Sequence, residues 1–164
     1  MATAQKNLSA YNSGNIPDAR NLRFGLVVSE WNQEITFAMR DSAIKTLKMH
    51  GAADTNIVVK QVPGSFELTL GAQWMAENDE FDAIICLGCV IQGETKHFDY
   101  ICQSVTQGIT QLNMVYGLPF VFGVLTTNNL QQAKDRSGGR HGNKGDEAAI
   151  TAIKMAALKK ELDG

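Results

Sequence analysis

Four short apolar runs punctuate the chain, at residues 24–28 (FGLVV), 57–59 (IVV), 83–87 (AIICL) and 120–125 (FVFGVL). Each is nearly continuous rather than alternating. That is the pattern of strands covered on both faces, as in a parallel sheet. Between the runs the spacing turns helical. Residues 33–50 put Ile35, Met39, Ala43 and Leu47 on one stripe, and residues 66–77 follow the second run. Residues 96–116 carry Phe98, Ile101, Cys102, Val105, Ile109 and Leu112 at three- and four-residue steps, one face of a helix. A short helix is predicted over 130–136. A Gly-rich break, SGGRHGNKG, separates it from an Ala-rich helix over 146–162. Strand and helix alternate four times, and each connection is long enough for a right-handed crossover. The expected fold is therefore α/β: a three-layer α/β/α domain over residues 22–164 with a short parallel sheet of four strands. Residues 1–21 lack periodicity and are expected to be a flexible tail or a strand added to a neighbouring subunit's sheet.

Composition narrows the function classes. The chain has 164 residues, 44% hydrophobic and 20% charged, with a formal net charge of −2. This is an ordinary globular balance, with enough chain for one substantial core. No overall positive field draws nucleic acid or an anionic membrane, so neither is expected as a partner, and a bound anion needs a local site. No apolar run approaches the ~20 residues that span a bilayer. Residues 1–20 are polar and lack the apolar core of a secretion signal. The odd count of three cysteines suits a reducing compartment, and a cytoplasmic location is expected. Cys86 and Cys89 form a C-x-x-C, but three residues apart on a strand means opposite faces. They read as buried and inert rather than as metal ligands. His50, which ends a helix before Gly51, and His141, in the Gly-rich break, have no partner at metal-ligand spacing. No metal is expected.

Ligands of open parallel sheets bind beyond the carboxyl ends of the strands. The segments after the four runs carry Ser29–Asn32, Pro63–Glu67, Gly88–His97 and Thr126–Asn129. In the third, Gly88-x4-Gly93-x-Thr95 leads into a helix, whose free N–H groups and dipole favour an anion. Glu94 stands where a nucleotide-binding loop needs Lys, which points to one small phosphate. The alternative is a Gly turn with Thr95 as a helix cap. His97, in the first helical turn, is either a capping histidine or a proton shuttle beside that anion. Trp31 is either a lid on the core or a stacking platform for a flat heterocycle. Ser65 and Glu67 either serve the start of the second helix, Ser65 as its cap and Glu67 by favouring the helix dipole, or hold the hydroxyls of a polyol. Residues 134–145 include five Lys, Arg or His side chains, either a phosphate clamp or a solvated loop. That stretch follows no strand directly, so serving the same site calls for a neighbouring subunit.

These segments together resemble a known family. GCVIQGETKHFDYI is similar to the G-x-V-I-x-G-x-T-x-H-F/Y-D/E-F/Y signature of lumazine synthases, and PGSFEL to their PG-A/S-F/W/Y-E segment. VVSEWN resembles V-x-A/S/R-F/W-N. LPFVFGVLTTNNLQQAKDRSGGRHGNKGDEAA resembles the family's V/L-P-x-x-F-G-V-L-T-T…R…GNKG-x-EAA stretch. The four blocks occur in order from about Phe24 to the C-terminus. One departure stands out: Arg140-His141 occupies a place often written Lys-Ala.

The resemblance implies a flavodoxin-like sheet and a transferase of riboflavin biosynthesis. Such an enzyme condenses 5-amino-6-(D-ribitylamino)uracil with 3,4-dihydroxy-2-butanone 4-phosphate to 6,7-dimethyl-8-ribityllumazine, phosphate and water, with no cofactor. It also implies a site between adjacent subunits of a pentamer, in some members twelve pentamers closed into an icosahedral shell, and association with riboflavin synthase. Carried onto this chain, Trp31 stacks on the pyrimidine. Asn32, Ser65 and Glu67 bind the ribityl chain, with Gly64 and Phe66 in the same substrate-binding segment. Val90 and Ile91 meet the pyrimidine edge through main-chain groups. Gly93, Glu94 and Thr95 hold phosphate, and His97 transfers protons. Phe122, Arg136 and Lys144 come from the next subunit, Arg136 to the phosphate and Lys144 to the heterocycle, and both count with His97 as catalytic. A flavin-holding module without catalysis explains the fold and Trp31, but not the joint presence of His97, Arg136 and the Thr95 loop.

Overall fold

In the computed structural model, which describes residues 6–164, each expected strand and helix forms. The elements are β1 (Phe24–Ser29), α1 (Gln33–Met49), β2 (Ile57–Val62), α2 (Leu68–Asn78), β3 (Ala83–Ile91), α3 (His97–Tyr116), β4 (Phe120–Thr127), α4 (Leu130–Asp135) and α5 (Lys144–Asp163). Strands β1–β4 make an all-parallel sheet in the order β2-β1-β3-β4. This is the three-layer, flavodoxin-like α/β/α arrangement.

The near-continuous apolar runs find their explanation in two separate cores. Phe24, Leu26 and Val28 of β1, with Ile85, Leu87 and Cys89 of β3, face Met39, Ala43 and Leu47 of α1 and Ala149 and Ile153 of α5. Val27, Ile84, Cys86 and Val124 face Leu68 and Ala72 of α2 and Val105 and Ile109 of α3. A strand buried on both sides has no polar face to alternate with. Cys86 and Cys89 accordingly point into opposite cores. Burial pushes both thiols up to about 12, so both stay protonated and unreactive near neutral pH. Titration of the native protein with a thiol reagent at pH 8 is expected to modify Cys102 at most, and all three cysteines only after denaturation. Two thiols reacting without loss of structure would contradict this packing.

The strands run further than their apolar runs. β3 was expected to stop at Leu87, before Gly88, with the loop beginning there. It continues to Ile91 because β4 supplies partners throughout, Gly88 opposite Val124 and Ile91 opposite Thr127. Ladder pairing overrides the weak strand preference of glycine. Gly88 is also a close-approach position, since a Cβ there would lie 2.7 Å from the Ser65 hydroxyl and 2.8 Å from Leu68. β2 extends through Lys60–Val62 because it is the sheet edge, where polar side chains face solvent. The Gly-rich break, expected without regular structure, contains a small antiparallel pair, β5 (Ser137–Gly139) with β6 (Gly142–Asn143). α5 begins two residues before its expected start. The Asn143 side chain caps it, accepting from the Gly145 amide at 2.8 Å.

The first five residues of the expected N-terminal tail lie outside the described residues. Residues 6–21 carry one 3-10 turn, Ser13–Asn15, and run along the same domain. The Leu8 amide donates to the His141 carbonyl and the Ala19 amide to the His50 carbonyl. Ala19 is fully buried in the α1–α5 core.

Candidate active site

A crevice is built into this strand order. From β1 the chain steps outward to β2, then returns to the other side of β1 for β3, so connections diverge between β1 and β3. A ligand edge opens there, beyond the carboxyl ends. β1 pairs with β3 only as far as Val28 with Leu87, whereas β3 runs on to Ile91. Main-chain groups of β3 alternate sides. The amides of Ile84 and Gln92 donate toward β4, to the carbonyls of Pro119 and Thr127. The odd-numbered residues Cys89 and Ile91 therefore turn theirs toward the vacated β1 side. Asn32 covers the first of them, its Nδ2 donating to the Cys89 carbonyl at 3.0 Å. To do so it sits at φ 58, the left-handed region that Asn tolerates better than most residues. The main-chain groups of Ile91 stay available for an in-plane partner.

A cavity of about 740 Å³ occupies this edge. Its walls come from the segments after β1, β2 and β3: Trp31 and Asn32; Pro63 to Glu67; Cys89 to Ile91; then Gly93, Thr95 and His97. Trp31 is 71% exposed, which excludes the lid-on-core reading and leaves a free aromatic face. For Ser65 the helix-cap reading is likewise excluded. It does not cap α2, which begins at Leu68. Its hydroxyl is buried and has no hydrogen-bond partner in the protein. A buried hydroxyl without a partner calls for one from outside. Gly64 lets the Glu67 carboxylate close in, since a Cβ at 64 would lie 3.0 Å from Oε2.

The segment before α3 supplies the polar end. The Lys96 side chain forms no capping bond, and Thr95 Oγ1 accepts from the His97 amide only at 3.4 Å. The Asp99 amide donates to the Lys96 carbonyl at 3.1 Å, but the His97 amide is only weakly engaged, and a free donor at a helix start is what an anion site requires. Gly93 has nothing within 4 Å of the place its Cβ would take, so the chain's own packing does not demand glycine there. His97 is exposed at the start of α3, on the same cavity wall.

Four expected site residues do not line this cavity: Glu94, Phe122, Arg136 and Lys144. Phe122 is half-buried on β4, against the α2–α3 core. Arg136 ends α4, its Nη1 donating to the Gln132 carbonyl at 3.1 Å. Lys144 is paired with Glu147 at 2.7 Å. Arg136 and Lys144 are tied together by the Lys144 amide, which donates to the Arg136 carbonyl at 2.8 Å. The unusual Arg140 bonds the buried Asp135 at 2.9 Å, closing the hairpin onto α4. The segment after β4 lies along the same sheet edge but contributes no residue to the cavity. Conversely, Phe98 and Ile101 line it, although their helical spacing assigned them to the core. Periodicity shows only that a side chain faces inward, not whether packing or a cavity lies there. Among the described residues no group of three or more His, Cys, Asp or Glu could hold a metal, and no helix is long and apolar enough to cross a membrane.

Known proteins carry the same pattern. The model of the 6,7-dimethyl-8-ribityllumazine synthase family matches residues 21–160. The chain is 59% identical to a protein named 6,7-dimethyl-8-ribityllumazine synthase from Parabacteroides distasonis, over 94% of this chain and 97% of the relative. It is 57% identical to one of that name from Phocaeicola vulgatus, over 99% of this chain and 96% of the relative. A third so named, from Bacteroides fragilis, is 62% identical over 82% of this chain and 94% of its own length.

Proposed function

Because the chain belongs to the 6,7-dimethyl-8-ribityllumazine synthase family, we propose that the cavity at the carboxyl edge of its sheet is where it makes that product. It is a transferase of riboflavin biosynthesis. It joins 5-amino-6-(D-ribitylamino)uracil to 3,4-dihydroxy-2-butanone 4-phosphate, releasing phosphate and water. The pyrimidine amine attacks the ketone carbonyl, and water leaves to give a Schiff base. A proton is taken from the adjacent carbon, and the electron pair it leaves behind expels phosphate. The resulting enol tautomerises to a new carbonyl. The ribityl-bearing nitrogen attacks it and closes the second ring with loss of water. Each C–N bond formed and each C–O bond broken is accompanied by a proton transfer between positioned groups, with no net oxidation.

In this reading Trp31 stacks on the pyrimidine, and the main-chain groups of Val90 and Ile91 meet its edge. Ser65 and Glu67, with Asn32, Gly64 and Phe66 beside them, receive the ribityl hydroxyls. The Gly93–Glu94–Thr95 turn holds phosphate, and His97 carries the proton. Phe122, Arg136 and Lys144 lie off their own chain's cavity and serve that of a neighbouring copy. The working form is accordingly an assembly, a pentamer or an icosahedral set of pentamers, with residues 22–164 as the enzyme domain. It works in the cytoplasm and associates with riboflavin synthase.

One observation carries the reading: an aromatic face, a buried unpartnered hydroxyl, a carboxylate, an open helix start and a histidine line one cavity. The test is lumazine absorbance with the purified protein and each substrate omitted in turn. Absorbance should rise only when both are present, and none with both would sink the proposal. Light scattering should give several chain masses, since a monomer could not complete the site. Arg136→Ala removes a charge-assisted contact of ~1.5–3 kcal/mol. The KM for the ketone phosphate should rise about ten- to hundredfold, and that for the aminopyrimidine should not move. Unaltered ketone kinetics would remove Arg136 from the site.

A further inference from the structure

We propose that residues 7–9 form a strap that positions the loop carrying Arg136 and Lys144, with Ser9 as its positioning residue. The proposal rests on the reading of that loop as the ketone-phosphate clamp. The loop has little regular structure of its own, and α1 holds it through Asn143 Nδ2, which donates to the Ala38 carbonyl at 3.2 Å. It is a hairpin of two short strands, with glycine at 138, 139 and 142. An isolated pair this short is not stable in water, and glycine adds freedom that must be lost on ordering. On its inner side the hairpin is fixed to α4, where Arg140 meets Asp135 and the His141 amide donates to the Asp135 carbonyl at 2.8 Å.

Its outer side is held by the N-terminal segment. The Leu8 amide donates to the His141 carbonyl at 2.7 Å. The Asn143 amide donates to Ser9 Oγ at 2.9 Å, and the Ser9 hydroxyl in turn donates to Asp146 Oδ2 at 2.5 Å. Asp146 is itself held to α1, accepting at Oδ1 from Ser42 and from Thr46. One hydroxyl thus links the hairpin to a carboxylate anchored on the core helices. The contact is tight. Gly142 adopts φ +78, and a Cβ there would lie 2.2 Å from Asn7 Oδ1 and 2.7 Å from the Ser9 nitrogen. Next along the chain, Lys144 is bonded through its amide to Arg136. Arg136 keeps its bond to Gln132 and Lys144 its pair with Glu147, so loosening the strap slackens the hairpin between the two cations, and binding phosphate must then pay its ordering.

The experiment is steady-state kinetics on the full chain carrying Ser9→Ala. The ketone-phosphate KM should rise about threefold to tenfold, the scale of one lost hydrogen bond. Inhibition by inorganic phosphate should weaken by the same factor. The aminopyrimidine KM should stay unchanged, and Ser9→Thr, which keeps the hydroxyl, should restore the ketone value. A purely structural role would lower the active fraction without splitting the two KM values, and that result overturns the proposal. If Arg136→Ala raises the ketone KM and Ser9→Ala does not, the strap falls and the clamp stands. If Arg136→Ala changes nothing, the clamp reading fails, and the proposal with it. Should Ser9→Ala not fold, amide exchange of the parent protein decides. The Asn143 amide should be protected, and exchange at the rate of an open loop would overturn the strap.

Discussion

Replacing His97 with Ala should lower kcat by roughly 10²–10⁴-fold and leave measurable turnover. His97 stands on the cavity wall at the first turn of α3, beside the Thr95 segment. A positioned acid–base group contributes ~10²–10⁴-fold, about 3–5 kcal/mol. Holding two reactants in line contributes more, ~7–11 kcal/mol. On the proposed reading the larger share belongs to Trp31, the Ser65–Glu67 segment and the Gly93–Thr95 turn, all of which His97→Ala leaves in place. Both KM values should therefore change little. Absorbance kinetics with each substrate varied in turn would measure the split. A wholly inactive His97→Ala, together with normal ketone kinetics in Arg136→Ala, would show that the roles are assigned wrongly.

Gly145→Ala should lower the melting temperature by roughly 6–12 °C. A Cβ on Gly145 would lie 1.9 Å from the Met39 carbonyl oxygen and 2.8 Å from its carbon. The obstacle is backbone in the middle of α1, which no rotamer change can clear. α5 must move off α1, and with it go the Asn143 cap and the Asp146 bonds to Ser42 and Thr46. Overpacking costs typically 1–3 kcal/mol, and a backbone obstacle falls at the top of that range. About 3 kcal/mol corresponds to the stated shift at ~2–4 °C per kcal/mol for a domain of this size. Gly93→Ala is the control, because its Cβ would meet nothing, and it should melt with the parent. Calorimetry on both variants is the measurement, and a Gly145→Ala protein melting within 2 °C of the parent would refute the α1–α5 contact.

Much was legible in the residues alone. The continuous runs at 24–28 and 83–87 required strands covered on both faces, and helical spacing between them required crossovers. Parallel topology then followed, and with it the edge where Trp31, Ser65, Thr95 and His97 meet. These inferences are local or topological, because side-chain period and connection length are written in the chain. The ordered motif blocks added the family.

Other features depended on contacts between distant segments. β3 passes Gly88 because β4 lies alongside, a partner more than thirty residues away in the chain. Phe98 and Ile101 share the stripe of Val105 and Ile109, yet they face a void because β1 ends before β3 does. Ser65 was equally fit to cap a helix or to face a ligand, and only the start of α2 at Leu68 left its hydroxyl unpartnered. The link from Ser9 to Asn143 and Asp146 spans nearly the whole chain and follows no period. Sequence thus determined the elements, their order and the edge where the candidate site residues gather, because these follow from periodicity and handedness. Only the tertiary structure decided where strands end, which inward side chains meet a cavity and what holds the Arg136 loop, because those depend on which atoms arrive from elsewhere.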